Sequence, residues 1–367
     1  MDLAFLTALC ERPGPWASVY VDTSQHSEST AEQRSVAAAG MQRALASAGA
    51  DEGTCDAVRA AADGLKRTRE PVGRALFAAQ GEVVLDLPLS KVPTSSAQWA
   101  SLPRMAPLLD LVGEDPLCLL ACVDRTGADF ALRSAREDRE AGTVTGRQWP
   151  VHRTATADWS ERHFQLRVEN TWEHNADLIA RSLADRQAET QADVVLLVGD
   201  DRECAAVQDR LPKDLQERAM RTRHGPGSRL LDEELERARA EHVAYCAARE
   251  MERYAEARGR QEGAAAGVPA LVDAAREHRV AELLVRPDGA DAHREVWVGD
   301  EPDQVAVRRT DAMALGAGEP ASARADDALL RCAAASGAAA LSVAAAAPET
   351  GPAGGLGALL RWTEPDR

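Results

Sequence analysis

Residues 192–201 read ADVVLLVGDD, an apolar run without alternation that ends in glycine and two carboxylates. A run of this kind, bounded by polar segments, suits a strand covered on both faces rather than one that faces water. Helical patterns flank it. Upstream, Phe164, Val168, Trp172, Ile179 and Leu183 recur at helical spacings over about 160–186; downstream, a helix is predicted from Arg202. A buried strand between two helices is the unit of a parallel sheet, so the chain is predicted to be α/β.

Around this unit the sequence divides into three blocks. At 367 residues the chain exceeds one core, which stops growing at roughly 250–300 residues. Residues 1–115 are expected to form an N-terminal α/β domain. It holds a short helix (DLAFLTALCER), a strand (WASVYVDTS), a helix with Val36, Met41 and Leu45 inward, a second helix from Thr54, and a hairpin turning at Gln80-Gly81. A proline-punctuated strap along the domain edge ends the block. Residues 116–262 open with two apolar strands joined by Asp124-Arg-Thr-Gly127 and continue through a long loop, 136–159, to the helix capped by Ser160. After ADVVLLVGDD comes a long charged helix with Leu230, Leu235, Ala238, Val243 and Met251 inward. Residues 263–367 alternate helix and strand, with GAGEPASARAD as a surface loop.

Composition narrows function mainly by exclusion. The balance of 43 basic to 59 acidic residues, net −16, argues against a protein that coats nucleic acid through bulk charge. The abundance of Ala and the preference for Arg over Lys also fit a high-GC genome, so net charge itself carries little weight. Seven cysteines, an odd number with no CxxC, indicate neither zinc nor a disulfide framework; Cys118 and Cys122 read as small core residues in a reducing compartment. There is no leader pattern and no apolar run of about 18 residues, which predicts a cytoplasmic protein without membrane contact.

Several constellations invite chemistry and give way to simpler readings. GPAGGLGALLRW lacks the lysine and serine of a phosphate loop and precedes a strand; HGPGSRLLDEE reads as a hinge into the long helix. Asp124, Asp200 and Asp201 end strands, as metal carboxylates often do, yet Asp201 also fits a helix N-cap and Asp124 a β-turn. His152, His163 and His174 are spaced by eleven and have no completing ligand, and no GxSxG is present. No catalytic residue, metal site or cofactor is therefore predicted.

One stretch stands apart. Between Val144 and Val168 four arginines (Arg147, Arg153, Arg162, Arg167) face only Asp158 and Glu161, a window of +2 in a chain of −16. It also holds Trp149, His152, Trp159 and His163. Arg, His and Trp together stack on bases and grip phosphates of folded RNA. Trp159 has two readings: a base-stacking group, or a staple fixing the start of the helix.

The order strand–turn–strand (LCLLACVDRTGADFALRS), long loop, long helix, buried strand and charged helix resembles the middle domain of the archaeo-eukaryotic peptide chain release factors and Pelota. Nearly the whole chain is similar to the bacterial branch of that family, which includes Balon-like ribosome hibernation factors and their actinobacterial relatives. The resemblance implies a three-domain arrangement with a ribonuclease-H-like middle domain and an α/β/α C-terminal domain. Aligned on Ser160 and Phe164, Ala157, Asp158 and Trp159 stand where the family carries its catalytic Gly-Gly-Gln. Two glycines permit a backbone that side-chain-bearing residues resist, and the glutamine amide helps place a water; neither is available here. The resemblance thus implies a non-catalytic factor in the vacant ribosomal A site. It would touch rRNA at the decoding and peptidyl-transferase centres, and the family further implies contact with elongation factor Tu. The alternatives are a peptidyl-tRNA hydrolase of ribosome rescue or peptide release, and a cytosolic stress protein with no ribosomal role.

Overall fold

The structure is a computed structural model. It describes residues 1–24, 31–65, 72–135, 137–146, 159–222, 224–225, 228–343 and 351–362, with the backbone alone for 31–34 and 159–170. The chain divides into two compact units: Met1–Gly113 with Ala247–Arg367, and Glu114–Cys246. We propose the three-part division at 115 and 262 as well, with junctions that limited proteolysis should cut.

The N-terminal segment of the first unit begins with a short helix α1 (Thr7–Cys10) and strand β1 (Trp16–Asp22). Helices α2 (Ala31–Ser47) and α3 (Glu52–Gly64) follow, the latter capped by the Asp51 carboxylate accepting from the Thr54 amide. β2 (Gly73–Ala79) and β3 (Glu82–Leu89) form the expected hairpin, and Gln80 and Gly81 both have positive φ, as its tight turn requires. β4 (Ser96–Ala100) completes an antiparallel sheet of order β3-β2-β1-β4, and a short helix α4 (Leu108–Leu111) ends the segment. Two departures are informative. Val36 is exposed, and Ala38 and Leu45 supply the buried face of α2. The proline-punctuated strap runs along the sheet edge only as β4; Met105, Leu108 and Leu109 beyond it are buried in the core.

The second unit carries β5 (Cys118–Val123), β6 (Gly127–Arg133), β7 (Asp138–Thr145), helix α5 (Trp159–Thr190), β8 (Val194–Gly199), helices α6 (Asp201–Gln208) and α7 (Lys213–Arg218), β9 (Ala219–Thr222) and helix α8 (Arg229–Gly259). The sheet order is β7-β6-β5-β8-β9, with the first three strands antiparallel and β5, β8 and β9 parallel. This is the ribonuclease-H-like arrangement. Ile179 and Leu183 of α5 pack with Leu119, Leu132 and Leu197 on one face; Leu231 and Leu235 of α8 pack with Cys118, Leu120 and Leu196 on the other. ADVVLLVGDD is therefore covered on both sides, and burial pushes the Cys118 thiol up to about 12, an inert core group.

Three expectations fail here for physical reasons. Residues 138–145, expected as loop, are strand β7 paired to β6. β7 is a mostly exposed edge strand, so it carries no apolar alternation to announce it. Leu230 is half exposed and Leu231 takes the buried position, because the charged sequence of α8 leaves its register weakly marked. Ser160 lies inside α5 rather than capping it.

The C-terminal segment, in the first unit, holds β10 (Ala264–Ala266), α9 (Val268–Arg276), β11 (Val280–Val285), β12 (Glu295–Val298), β13 (Val305–Ala306), α10 (Arg309–Ala314), β14 (Ala321–Arg324), α11 (Ala325–Ala335), β15 (Ala339–Ser342) and β16 (Leu356–Leu360). Sheet β10-β16-β11-β15 lies between two helical layers. Leu271 of α9 and Leu329 of α11 pack with Leu283 and Ala358, while Met251 and Tyr254 of α8 pack with Leu284 and Leu359. That is the α/β/α sandwich. Part of the expected loop GAGEPASARAD is β14, paired with β12. The N-terminal Leu3, Leu6 and Leu9 share a core with Val268 and Leu330, and Arg104 reaches Asp326 and Asp327 of α11 at 2.8 and 2.9 Å.

Candidate nucleic-acid interface

The connection between β7 and α5 leaves the sheet beside the carboxyl ends of the parallel strands β5 and β8, the edge where open α/β sheets present their functional loops. Its near end is fixed by the β5–β6 turn. The Asp124 carboxylate accepts from the Thr126 amide (2.6 Å), the Thr126 hydroxyl (2.8 Å) and the Gly127 amide (2.8 Å). Burial alone would raise the Asp124 pKa, but these bonds to its charged form hold it below the usual carboxylate value. The same turn then binds both flanks of the connection. Gly146 donates its amide to the Thr126 carbonyl at 2.6 Å, and the buried Asn175 side chain of α5 donates to the Arg125 carbonyl at 3.0 Å. A Cβ on residue 146 would overlap the Asn175 amide, so glycine is required where the chain leaves β7.

Arg147, Trp149, His152 and Arg153 lie outside the described residues. Trp159, Arg162, His163 and Arg167 fall in the opening turns of α5, where the backbone alone is described; Trp159, His163 and Arg167 recur every four residues, along one side of a helix. The structure thus places four of the eight predicted residues on one helical segment.

Around the base of the connection the charges are mixed. The Arg125 side chain, 84% exposed, meets Glu203 at 2.9 Å; Arg202 lies over the Trp172 ring at 5.6 Å; Arg221 meets Asp201 at 3.3 Å. Asp200, not Asp201, caps α6, accepting from the Arg202 amide at 3.0 Å. Asp124, Asp200 and Asp201 therefore each have a local partner, and among the described residues no group of His, Cys, Asp and Glu is arranged to hold a metal ion. His174 lies exposed on α5. Among the described residues no helix is long and apolar enough to cross a membrane.

Sequence reasoning missed two residues that fix α5 on the sheet, Asn175 beside the connection and Arg186 further along the helix. Asn175 had a visible signal, an amide on the otherwise apolar face of α5. Arg186 had none. Its guanidinium donates to the Ala141 carbonyl at 2.8 Å and lies over Phe130 at 4.3 Å, tying α5 to β6 and β7.

Residues 117–260 match the bacterial archaeo-eukaryotic release factor family 2. Two uncharacterized proteins of Mycobacterium tuberculosis, from strains CDC 1551 and H37Rv, are each 29% identical over 364 residues, covering 96% of this chain and 95% of their own. Among solved structures, the archaeal translation termination factor aRF1 is similar at a TM-score of 0.27 and 15% identity, over 98% of this chain and 97% of its own. Pelota of Archaeoglobus fulgidus is similar at a TM-score of 0.37 and 15% identity, over 79% of each chain. The match to the bacterial archaeo-eukaryotic release factor family 2 thus covers the middle region, from the start of β5 to the end of α8.

Proposed function

We propose that this protein is a non-catalytic, ribosome-binding hibernation factor. It occupies the vacant A site of idle ribosomes, with the connection 147–158 and the opening turns of α5 directed toward the peptidyl-transferase centre. The observation that carries the reading is a juxtaposition in the family-matched region. The match of residues 117–260 to a release factor family points to translation, while the segment holding Ala157, Asp158 and Trp159 gathers arginine and tryptophan instead of Gly-Gly-Gln. Arginines supply phosphate contacts and tryptophan a stacking surface, so the segment is suited to hold rRNA without hydrolysing an ester. The Asp124–Gly127 turn fixes the end of β7 through Gly146 and the body of α5 through Asn175, which supports a defined base for the segment. Contact with elongation factor Tu belongs to the same proposal.

The test has two parts. The protein should co-sediment with 70S ribosomes from stationary-phase cells, and it should leave peptidyl-tRNA in stalled ribosomes intact. Release well above background would replace the binder with the hydrolase, and absence from ribosomes would favour a stress protein of this fold.

A further inference from the structure

We propose that a cleft in the first unit is a binding site for a small organic mono-anion with an apolar body. The cleft has a volume of about 370 Å³ and is lined by Pro13, Trp16, Trp99 and Val298, with Arg331 among its polar groups. This is the size and mixture of a small-molecule site, apolar walls with a few placed polar groups.

Arg331, on α11, supplies the charge. It is 5% exposed, and its terminal nitrogens donate to the carbonyls of Gly299 (2.8 Å) and Asp300. Those carbonyls orient the guanidinium but do not neutralise it. Among the described residues no carboxylate lies within ion-pair distance of Arg331, whereas Arg104 and Arg324, at the start of the same helix, both reach Asp326 and Asp327. A buried charge without a counter-charge is costly, and an anion entering the cleft offsets that cost. Burial lowers the Arg331 pKa, although Asp300 and Glu301, which lie beyond ion-pair distance, pull it the other way.

The rim sets the ligand class. Asp300 and Glu319 line the cleft and are exposed, and Arg12 is held by Glu82 at 2.8 Å. One negative charge is therefore matched by Arg331, and a second meets the exposed Asp300 and Glu319 carboxylates. A carboxylate or sulfonate on an aromatic or aliphatic body fits; a polyphosphate does not. The competing role for Arg331, simply fastening the 299–300 turn, accounts for its two bonds but gives the cleft no ligand.

The test uses the full-length protein and two fluorescent probes of similar shape: 8-anilinonaphthalene-1-sulfonate, a mono-anion, and the neutral N-phenyl-1-naphthylamine. The sulfonate should saturate at one per chain and bind at least about tenfold more tightly than the neutral probe, the ratio that about 1.4 kcal/mol of charge pairing gives. Arg331→Gln should erase that difference. Because this variant also loses its bonds to the 299–300 turn, Ala100→Trp provides an independent check. Ala100 is exposed and lines the cleft, so a bulky side chain there should fill it and weaken sulfonate binding at least tenfold with an unchanged melting temperature. Equal affinity for the two probes, or undiminished binding by Ala100→Trp, overturns the proposal.

Discussion

Arg104 and Arg125 are both loop arginines that meet carboxylates at about the same distance, and they stand in opposite settings. The Arg104 side chain is 14% exposed and reaches Asp326 and Asp327, themselves nearly inaccessible, at 2.8 and 2.9 Å. Arg125 is 84% exposed and reaches Glu203 at 2.9 Å. Distance does not separate the two; solvent does. In the first unit the charges are enclosed and hold the chain's N-terminal and C-terminal segments in one core. In the second unit the Arg125 guanidinium is solvated although its partner Glu203 is only 12% exposed, and Arg221 and Asp201 are both open to water.

Breaking the enclosed network should have the largest effect. Arg104→Met leaves two buried carboxylates short of a partner and should cost about 3–5 kcal/mol in a denaturant titration. A loss below about 1 kcal/mol would mean that water already screens the cluster. The network also has a pH signature. Burial first, and Asp326 second, raise the Asp327 pKa to about 6. A carboxyl that holds its proton more tightly when folded contributes stability below its unfolded pKa, near 3.9, and loses it as pH rises toward 6. Asp327→Asn should flatten that slope between roughly pH 4 and 6.

The second unit should respond less. Asn175→Ala removes a buried donor to the Arg125 carbonyl and should cost about 1–2 kcal/mol. No change in melting would show that another group satisfies the carbonyl. Smallest of all, Arg125→Ala should cost at most about 0.5–1 kcal/mol, because the guanidinium is 84% exposed even though Glu203 is not, and a loss as large as that of Arg104→Met would erase the contrast.

The sequence carried these two regions unequally. ADVVLLVGDD and the Asp124–Gly127 hairpin were legible because an unbroken apolar run and a turn signal are local. β7 was not, since an exposed edge strand is paired through its backbone and its side chains need no pattern. In α2 and α8 the inward face was legible at Leu45, Leu235, Ala238 and Met251, but alanine and charge blur its margin, and Val36 and Leu230 lie outside it. Asp326 and Asp327 gave no sign of burial, because their partner Arg104 is more than two hundred positions away and only the folded chain brings them together. Asn175 was visible as a polar residue on an apolar face, but its partner was not. For the candidate interface, sequence supplied the clustering of arginine and tryptophan, while the structure supplied the anchors that flank it.

The measurement that bears most directly on the ribosome-binding account is the salt dependence of ribosome affinity for the wild type and for Arg153→Ala/Arg162→Ala. If both arginines contact rRNA phosphates, the double variant should bind more weakly, with its log–log salt slope reduced by roughly one unit per lost contact and its melting temperature unchanged. Trp159→Ala, run alongside, should cost about 1–3 kcal/mol of binding at an unchanged slope if the ring stacks on a base. A lower melting temperature would instead mark Trp159 as the staple of α5. Wild-type affinity and slope in all three substitutions would contradict the account, because the segment would then not touch RNA.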